Sequence, residues 1–173
     1  MKKRVAILEG GNSVEREVSL STGHSCSKAL IGLGYIVKSI DTKENFICEL
    51  IKFKPDVVFN ALHGKYGEDG IIQGLLETLK IPYTHSGVQA SSIAMDKNLA
   101  KICFKEAGIP VVEHIILDES FSLKNIPFKL PYVIKPLAGG SSVDVKILKN
   151  ANDWQPIKNS GNKNKKYLVE PYI

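Results

Sequence analysis

The stretch RVAILEGGNSVEREVSLSTG, residues 4–23, determines the fold class of this chain. It opens with RVAIL, a short apolar run without polar alternation, which is typical of a strand buried on both faces of a parallel sheet. Two glycines follow, and apolar residues then recur at helical spacing from Val18 to Gly34, where we expect the helix to end. A strand, a glycine turn and a helix in this order predict an α/β domain.

The same alternation of strands and helices continues as far as residue 109. We expect further strands at residues 35–40 and 56–62, and helices at residues 46–53, 71–79 and from the 90s to 107. Glycine at position 108 and proline at position 110 then interrupt the pattern. The sequence therefore predicts a first domain over residues 1–109 with a Rossmann-like parallel sheet.

The remaining residues, 110–173, carry a pattern dominated by strands. The segments PYVIKPL and VDVKIL stand on either side of a glycine loop, VVEHIIL precedes them, and KYLVEPYI ends the chain. Apolar strand segments that follow one another without long helices are typical of antiparallel pairing. We therefore predict a second domain of the α+β type over residues 110–173, of which only part is present.

Composition excludes several other classes of protein. The chain has 173 residues with 43% hydrophobic and 24% charged content, as ordinary globular proteins have. Its net charge of +5 includes four lysines in KNSGNKNKK, a stretch without aromatic residues that is typical of a solvated turn rather than a nucleic-acid surface. These lysines are Lys158, Lys163, Lys165 and Lys166. We expect no nucleic-acid partner.

The sequence also predicts the compartment. Three cysteines without CxxC spacing predict free thiols in a reducing environment. No apolar run reaches the length of a membrane span, and the N-terminus lacks a signal-peptide core. We therefore expect a cytoplasmic protein without a membrane partner.

Several common site motifs are absent from the sequence. The P-loop pattern GxxxxGK[ST] does not occur, and the first glycine turn lacks the third glycine of the dinucleotide fingerprint GxGxxG. The four histidines stand without a second ligand at metal-binding spacing. The chain is therefore not a standard nucleotide binder of either kind, and we expect no metal ligands within it.

Glu15 lies in the charged triplet that follows the first glycine turn. From its position it is suited to form a capping box with Asn12 at the start of the helix. The alternative is functional, because open α/β sheets bind ligands at the carboxyl ends of their strands and a carboxylate there can bind an ammonium group. The sequence leaves both interpretations open.

His63 begins the glycine-rich loop HGKYGEDG, residues 63–70, at the end of the strand predicted over residues 56–62. A single histidine is usually structural. The three glycines of the loop make a functional interpretation stronger, because glycine lets the backbone approach a ligand closely.

Residues further along the chain indicate an anion site. Lys135 stands inside the apolar run PYVIKPL, where a buried ammonium group needs an anionic partner such as a phosphate. The loop AGGSSVD, residues 138–144, follows directly, and its backbone N–H groups and hydroxyls are suited to cover phosphate oxygens. An ordinary glycine hairpin is the alternative for this loop. Lys97 lies on the helix of the 90s, where a lysine is usually solvated.

Taken together, these stretches resemble the D-alanine–D-alanine ligases of the ATP-grasp superfamily. The resemblance rests on GGNSVEREVSLSTG, ALHGKYGEDGIIQGLLE, IPYTHSGVQASSIAMDK, YVIKPLAGGSSV and the terminal LVEPYI, in this order along the chain. It implies a substrate-binding pre-ATP-grasp domain followed by part of an ATP-grasp domain. It also implies ATP-dependent formation of D-alanyl-D-alanine for peptidoglycan through an acyl phosphate, with Mg²⁺ as a further cofactor.

The resemblance implies roles for three residues toward the amino-acid substrate. Glu15 would hold the ammonium group of the first D-alanine, and His63 would lie beside the substrate carboxylate and the acyl phosphate. Ser141, in the loop 138–144, would belong to the hydrogen-bond network that orients Glu15 and the substrate. Glu15 and Ser141 would thus be the catalytic residues.

The resemblance also implies a nucleotide site. Lys97 and Lys135 would contact the ATP phosphates, and Glu170 would begin the strand that lies against the adenosine. Members of the family continue beyond the position of Ile173, and we expect the Mg²⁺ ligands and an oxyanion-binding arginine in that C-terminal half. Asp144 stands where the family's GSSVG loop has its last glycine.

These observations leave three hypotheses. The first is a D-alanine–D-alanine ligase that uses D-alanine and ATP, either as a homodimer or with a complementary C-terminal chain. The second is a non-catalytic, truncated remnant that at most binds ligands. The third is another ATP-grasp enzyme that joins a different carboxylate and amine.

Overall fold

The computed structural model describes residues 2–117, 126–150, 153 and 166–173, and the chain forms two compact units, Met1–Ser92 and Ile93–Ile173. The division falls before residue 109, where we predict the domain boundary. The segment from residue 96 onward forms hydrogen bonds with residues later in the chain. For example, Lys97 N donates to Leu137 O at 3.1 Å. Three lysines of the predicted solvated turn, Lys158, Lys163 and Lys165, lie outside the described residues.

The first unit contains a parallel sheet of three strands in the order β2-β1-β3. The strands are β1 (Arg4–Glu9), β2 (Ile36–Asp41) and β3 (Val57–Asn60). Val5 in β1 pairs with Val37 on one side and with Val57 on the other, so the apolar run RVAIL is the central strand. This confirms the predicted α/β fold with a buried parallel strand.

An apolar core lies between this sheet and the helices α2 (Phe46–Phe53) and α3 (Ile71–Thr78), and α1 (Arg16–Gly32) contacts β1 and β2. A fourth helix, α4 (Val88–Met95), spans the division after Ser92. The core contains Ala6, Leu8, Ile40, Leu50, Val58, Leu62, Ile72 and Leu76. In the described part of the chain, every helix is too short or too polar to cross a membrane.

The helix α1 lies against β1 through small residues rather than through the predicted apolar face. Ser19 and Gly23 are its buried residues, while Val18 is exposed. A Cβ atom at Gly23 would collide with the side chain of Glu9, so only glycine lets the helix come this close to the strand. Val18, the first of the apolar residues at helical spacing, therefore does not lie on the buried face of α1.

The second unit contains an antiparallel sheet of four strands in the order β4-β7-β5-β6. The strands are β4 (Ile115–Leu117), β5 (Tyr132–Pro136), β6 (Lys146–Leu148) and β7 (Tyr167–Pro171). One face buries a second core made of Leu117, Tyr132, Ile134, Leu148, Tyr167 and Val169. The predicted antiparallel pairing is confirmed, although β4 is shorter than the segment VVEHIIL.

The single helix that we predict from the 90s to residue 107 is wrong, because the chain breaks at Asp96. Asp96 is extended, with φ −92° and ψ 108°, and α5 (Lys97–Glu106) begins directly after it. The Asp96 side chain accepts hydrogen bonds from Asn98 N and Leu99 N at 2.9 and 3.0 Å, which caps the new helix. The break makes Lys97 the first residue of α5.

Candidate functional site

The backbone leaves β1 through a tight turn at Gly10 and Gly11, both with φ of 74°. This left-handed conformation favours glycine. Gly10 N donates to Ser19 Oγ at 2.8 Å, and Ser19 Oγ donates to Ala61 O at 2.7 Å. The buried Ser19 therefore joins the turn after β1 to the residue after β3, at the carboxyl edge of the sheet.

An ion pair between α1 and β2 fixes the same turn. Arg16 donates to both carboxylate oxygens of Asp41, at 2.9 and 2.5 Å. Gly11 N donates to Asp41 Oδ1 at 3.1 Å, and Gly11 O accepts from Arg16 Nη1 at 3.1 Å. The hydrogen bond from Arg16 holds the pKa of the Asp41 carboxyl well below its ordinary value.

Glu15 lies directly before the first residue of α1 and is buried, with 9% of its surface exposed. Among the described residues its side chain makes no capping hydrogen bond; instead, Ser13 Oγ accepts from Glu15 N at 3.0 Å. The capping-box interpretation, in which Glu15 lies one turn inside the helix, is therefore wrong. The ligand-binding interpretation stays a prediction.

The glycine loop 63–70 packs directly against the Glu15 carboxylate. Gly64 has a φ of 69°, and a Cβ atom on it would collide with Glu15 Oε2. Hydrogen bonds fix the loop at Gly67, whose carbonyl accepts from Asn60 Nδ2 at 2.8 Å and from Gln73 Nε2 at 2.9 Å. Glycine at position 64 thus allows the loop backbone to reach the acidic side chain.

His63 precedes Gly64 and faces the same edge of the sheet. Its Nε2 atom lies 3.2 Å from Thr22 Oγ1 on α1. His63 also lines a cavity of about 230 Å³, together with the turn at Gly10 and Gly11. The structure therefore brings two of the predicted site residues, Glu15 and His63, to one edge of the parallel sheet.

The other predicted site residues belong to the second unit, where Lys135 and Glu170 form an ion pair across the neighbouring strands β5 and β7. The Glu170 side chain is 13% exposed, and its Oε2 atom lies 2.8 Å from Lys101 Nζ. Burial raises the pKa of Glu170, but the ammonium groups of Lys101 and Lys135 outweigh burial and leave the pKa below its ordinary value. The partly buried lysine of PYVIKPL therefore has a carboxylate partner.

Lys97 faces the loop that follows β5. Its Nζ atom donates to Gly139 O at 2.7 Å. Burial, followed by the nearby charge of Lys135, lowers the pKa of Lys97. Lys97 is therefore not an ordinary solvated helical lysine, and the structure places it with Lys135 and Glu170 in one charged cluster.

The loop 138–144 closes the hairpin between β5 and β6 and contains Ser141. Ser141, Ser142 and Asp144 all have a positive φ, of 51°, 57° and 59°. Residues other than glycine and asparagine adopt this left-handed backbone conformation at an energetic cost. The hairpin interpretation holds, and a role of the loop as a phosphate cover stays a prediction.

Sequence reasoning missed the Arg16–Asp41 pair and Lys101. The two members of the pair are 25 residues apart, and no local motif connects them. Lys101 lies on the helix α5, and its sequence context does not distinguish it from a solvent-exposed lysine. Covariation between these positions in related sequences is the signal that could have revealed both.

The chain is similar to proteins of known family. Residues 48–86 match the family model described as the D-ala D-ala ligase N-terminus. The D-alanine–D-alanine ligase of Ruegeria sp. is 50% identical over 88% of this chain and 50% of the relative. That of Methylobacterium radiotolerans is 47% identical over 100% of this chain and 57% of the relative.

Solved structures show the same likeness. The D-alanine–D-alanine ligase from Bacillus anthracis matches with a TM-score of 0.82 and 35% identity, over 99% of this chain and 58% of that chain. The same enzyme in complex with ATP matches with a TM-score of 0.79 and 34% identity, over 99% of this chain and 59% of that chain.

Fold and sequence together therefore define an α/β protein that is similar to D-alanine–D-alanine ligases. The family model that it matches describes the N-terminus of these ligases. The chain spans about half the length of the curated relatives that it matches, 50% in Ruegeria sp. and 57% in Methylobacterium radiotolerans.

Proposed function

We propose that this chain takes part in the ATP-dependent joining of two D-alanine molecules. The observation that carries the proposal is the buried carboxylate of Glu15 at the carboxyl edge of the parallel sheet, packed against Gly64 of the histidine loop. A carboxylate in that position is suited to bind the ammonium group of an amino acid. His63, next to Gly64, would then lie beside the amino-acid carboxylate.

The second unit would bind the nucleotide. Lys97 and Lys135 supply positive charge at the start of the loop 138–144, and phosphate oxygens are the anions that such a cluster takes. Ser141 belongs to the same loop, and its hydroxyl would act in the network around the substrate. Glu170 would lie near the adenosine, although it is the fourth residue of β7 and does not begin the strand as the resemblance implies.

The reaction that these groups serve has two steps. The carboxylate of the first D-alanine attacks the γ-phosphorus of ATP, which gives an acyl phosphate and ADP. The amine of the second D-alanine then attacks the acyl carbon, and the tetrahedral intermediate loses phosphate to give the dipeptide. The lysines would stabilise the charge that develops on the transferred phosphoryl group.

Within the described residues, no group of three His, Cys, Asp or Glu side chains is placed to hold a metal ion.

Peptidoglycan synthesis would be the use of the dipeptide. Three free cysteines, Cys26, Cys48 and Cys103, agree with the proposed cytoplasmic location, because reducing compartments keep thiols unpaired.

A second candidate is a non-catalytic binding module, or one half of a split ligase. A homodimer or a complementary chain would then complete the site. Another ligase of the ATP-grasp superfamily, joining a different acid and amine, is the weaker third candidate.

Phosphate release from ATP, with Mg²⁺ and either D-alanine or L-alanine, tests the proposal. We expect release that depends on D-alanine and is about 10- to 100-fold slower in Glu15→Gln, because a hydrogen bond to a charged group is lost. Glu17→Gln is the matched control, since Glu17 lies in the first turn of the same helix and is exposed. Equal release with both alanines refutes the proposal, and D-alanine binding without release favours the binding module.

A further inference from the structure

We propose that Lys101 is a positioning residue of the second unit, which holds one oxygen of Glu170 and so leaves Lys135 able to turn to a phosphate. This inference rests on the proposed nucleotide site. It concerns a residue that the sequence motifs do not mark.

Lys101 is held in one place from two sides. Its side chain is 15% exposed, and its Nζ atom donates to Val112 O at 2.8 Å. The same atom lies 2.8 Å from Glu170 Oε2. Two short contacts on a mostly buried ammonium group fix the position of the Lys101 side chain. An exposed lysine on the same helix would have no such restraint.

Glu170 is shared between two lysines, one for each oxygen. Lys135 Nζ contacts Oε1, and Lys101 Nζ contacts Oε2. The carboxylate therefore cannot rotate toward one lysine without losing the other. One carboxylate is therefore held by two ammonium groups at once.

This charge arrangement determines what Lys135 can do. With Lys101 present, Glu170 keeps a cation when Lys135 moves to an anionic ligand. Without Lys101, Lys135 is the remaining close cation of a buried carboxylate, and such a charge is expensive to leave unpaired. A phosphate would then have to compete with Glu170 for Lys135.

ATP titration of the chain and of its variants, by calorimetry, tests the inference. We expect Lys101→Met to bind ATP about tenfold more weakly and Lys101→Arg to restore most of the affinity, because arginine keeps the ion pair. Lys105→Met is the matched control, since Lys105 lies one turn further on α5 and is exposed. Circular dichroism identifies any variant that does not fold, and Lys101→Gln then replaces Lys101→Met.

The decisive comparison uses a second background. In Glu170→Gln, the further change Lys101→Met is expected to cost little, because Lys101 acts through the Glu170 charge. An equal cost in both backgrounds would mean that Lys101 contacts the nucleotide itself, and would overturn the inference. A purely structural role would also give equal costs.

A readout without nucleotide separates this inference from the proposed function. NMR titration of the Glu170 carboxyl is expected to give a higher pKa in Lys101→Met than in the unaltered chain, since one of the two lysines that lower it is gone. An unchanged pKa would overturn the inference. Absence of ATP binding in the unaltered chain would count against the proposed function, while this titration still decides the role of Lys101.

Discussion

Substituting Gly64 by alanine would separate the glycine loop from the Glu15 carboxylate. Gly64 has a φ of 69°, and a Cβ atom there would collide with Glu15 Oε2. The substitution therefore has two costs. One is the left-handed conformation imposed on alanine, and the other is the displacement of a buried carboxylate.

The size of each cost follows from general values. A left-handed φ costs an L-residue roughly 1–2 kcal/mol, so the free energy of unfolding of Gly64→Ala should fall by at least about that amount. A displaced Glu15 would lose a charge-assisted hydrogen bond to the amino acid, worth about 1.5–3 kcal/mol, which corresponds to D-alanine affinity about tenfold weaker or more. Urea denaturation and D-alanine titration by calorimetry measure the two effects.

Gly34→Ala is the matched control. Gly34 also has a positive φ, of 87°, at the end of α1, but a Cβ atom at this position would meet open space, with no clash within 4 Å. We expect this substitution to lower the free energy of unfolding by the conformational cost alone and to leave D-alanine affinity unchanged. Unchanged D-alanine affinity in Gly64→Ala, or an equal loss of affinity in both variants, would refute the proposed contact between the loop and the Glu15 site.

Three further predictions concern the cap, the hairpin loop and the ion pair. Asp96→Ala should lower the free energy of unfolding by about 1 kcal/mol in urea denaturation, since it removes the cap of α5, whereas Asp96→Asn should keep most of it; equal losses would contradict the capping role. Asp144→Gly should bind ATP more tightly than Asp144→Ala, because both remove the charge and only glycine adopts the positive φ of 59° without cost; no difference would exclude conformational strain as a factor. Arg16 lowers the pKa of Asp41 in the folded state below its ordinary value of 3.8. The ion pair therefore stabilises the fold above that pH, and this stabilisation is lost as the pH falls. Asp41→Asn should lose less free energy of unfolding than the unaltered chain between pH 6 and pH 3, and parallel losses would count against the pair.

The sequence predicted the elements whose signals are local. The run RVAIL identified β1 because a strand buried on both faces has no polar alternation. The glycine-rich segments marked the turn after β1 and the loop beside Glu15, since positive φ values favour glycine. Gly34 likewise ended α1, where its N–H group bonds to Ile31 O at 2.9 Å.

The sequence did not predict features that depend on distant contacts. The inward face of α1 carries Ser19 and Gly23 because β1 brings Glu9 close to the helix, and hydrophobic spacing does not contain that information. The break at Asp96 depends in part on its bridge to Ala138. Lys101 became visible as a site residue only when its contact with Glu170 was known.

Hydrogen exchange of the chain with D-alanine, L-alanine and ATP tests the central claim most directly, because it needs no turnover. We expect D-alanine to slow exchange at residues 10–15 and 63–68, and ATP to slow it at residues 97–101, 135–144 and 167–171. L-alanine should leave the first set unchanged. Protection of these segments by neither ligand, or equal protection by D-alanine and L-alanine, would contradict the claim.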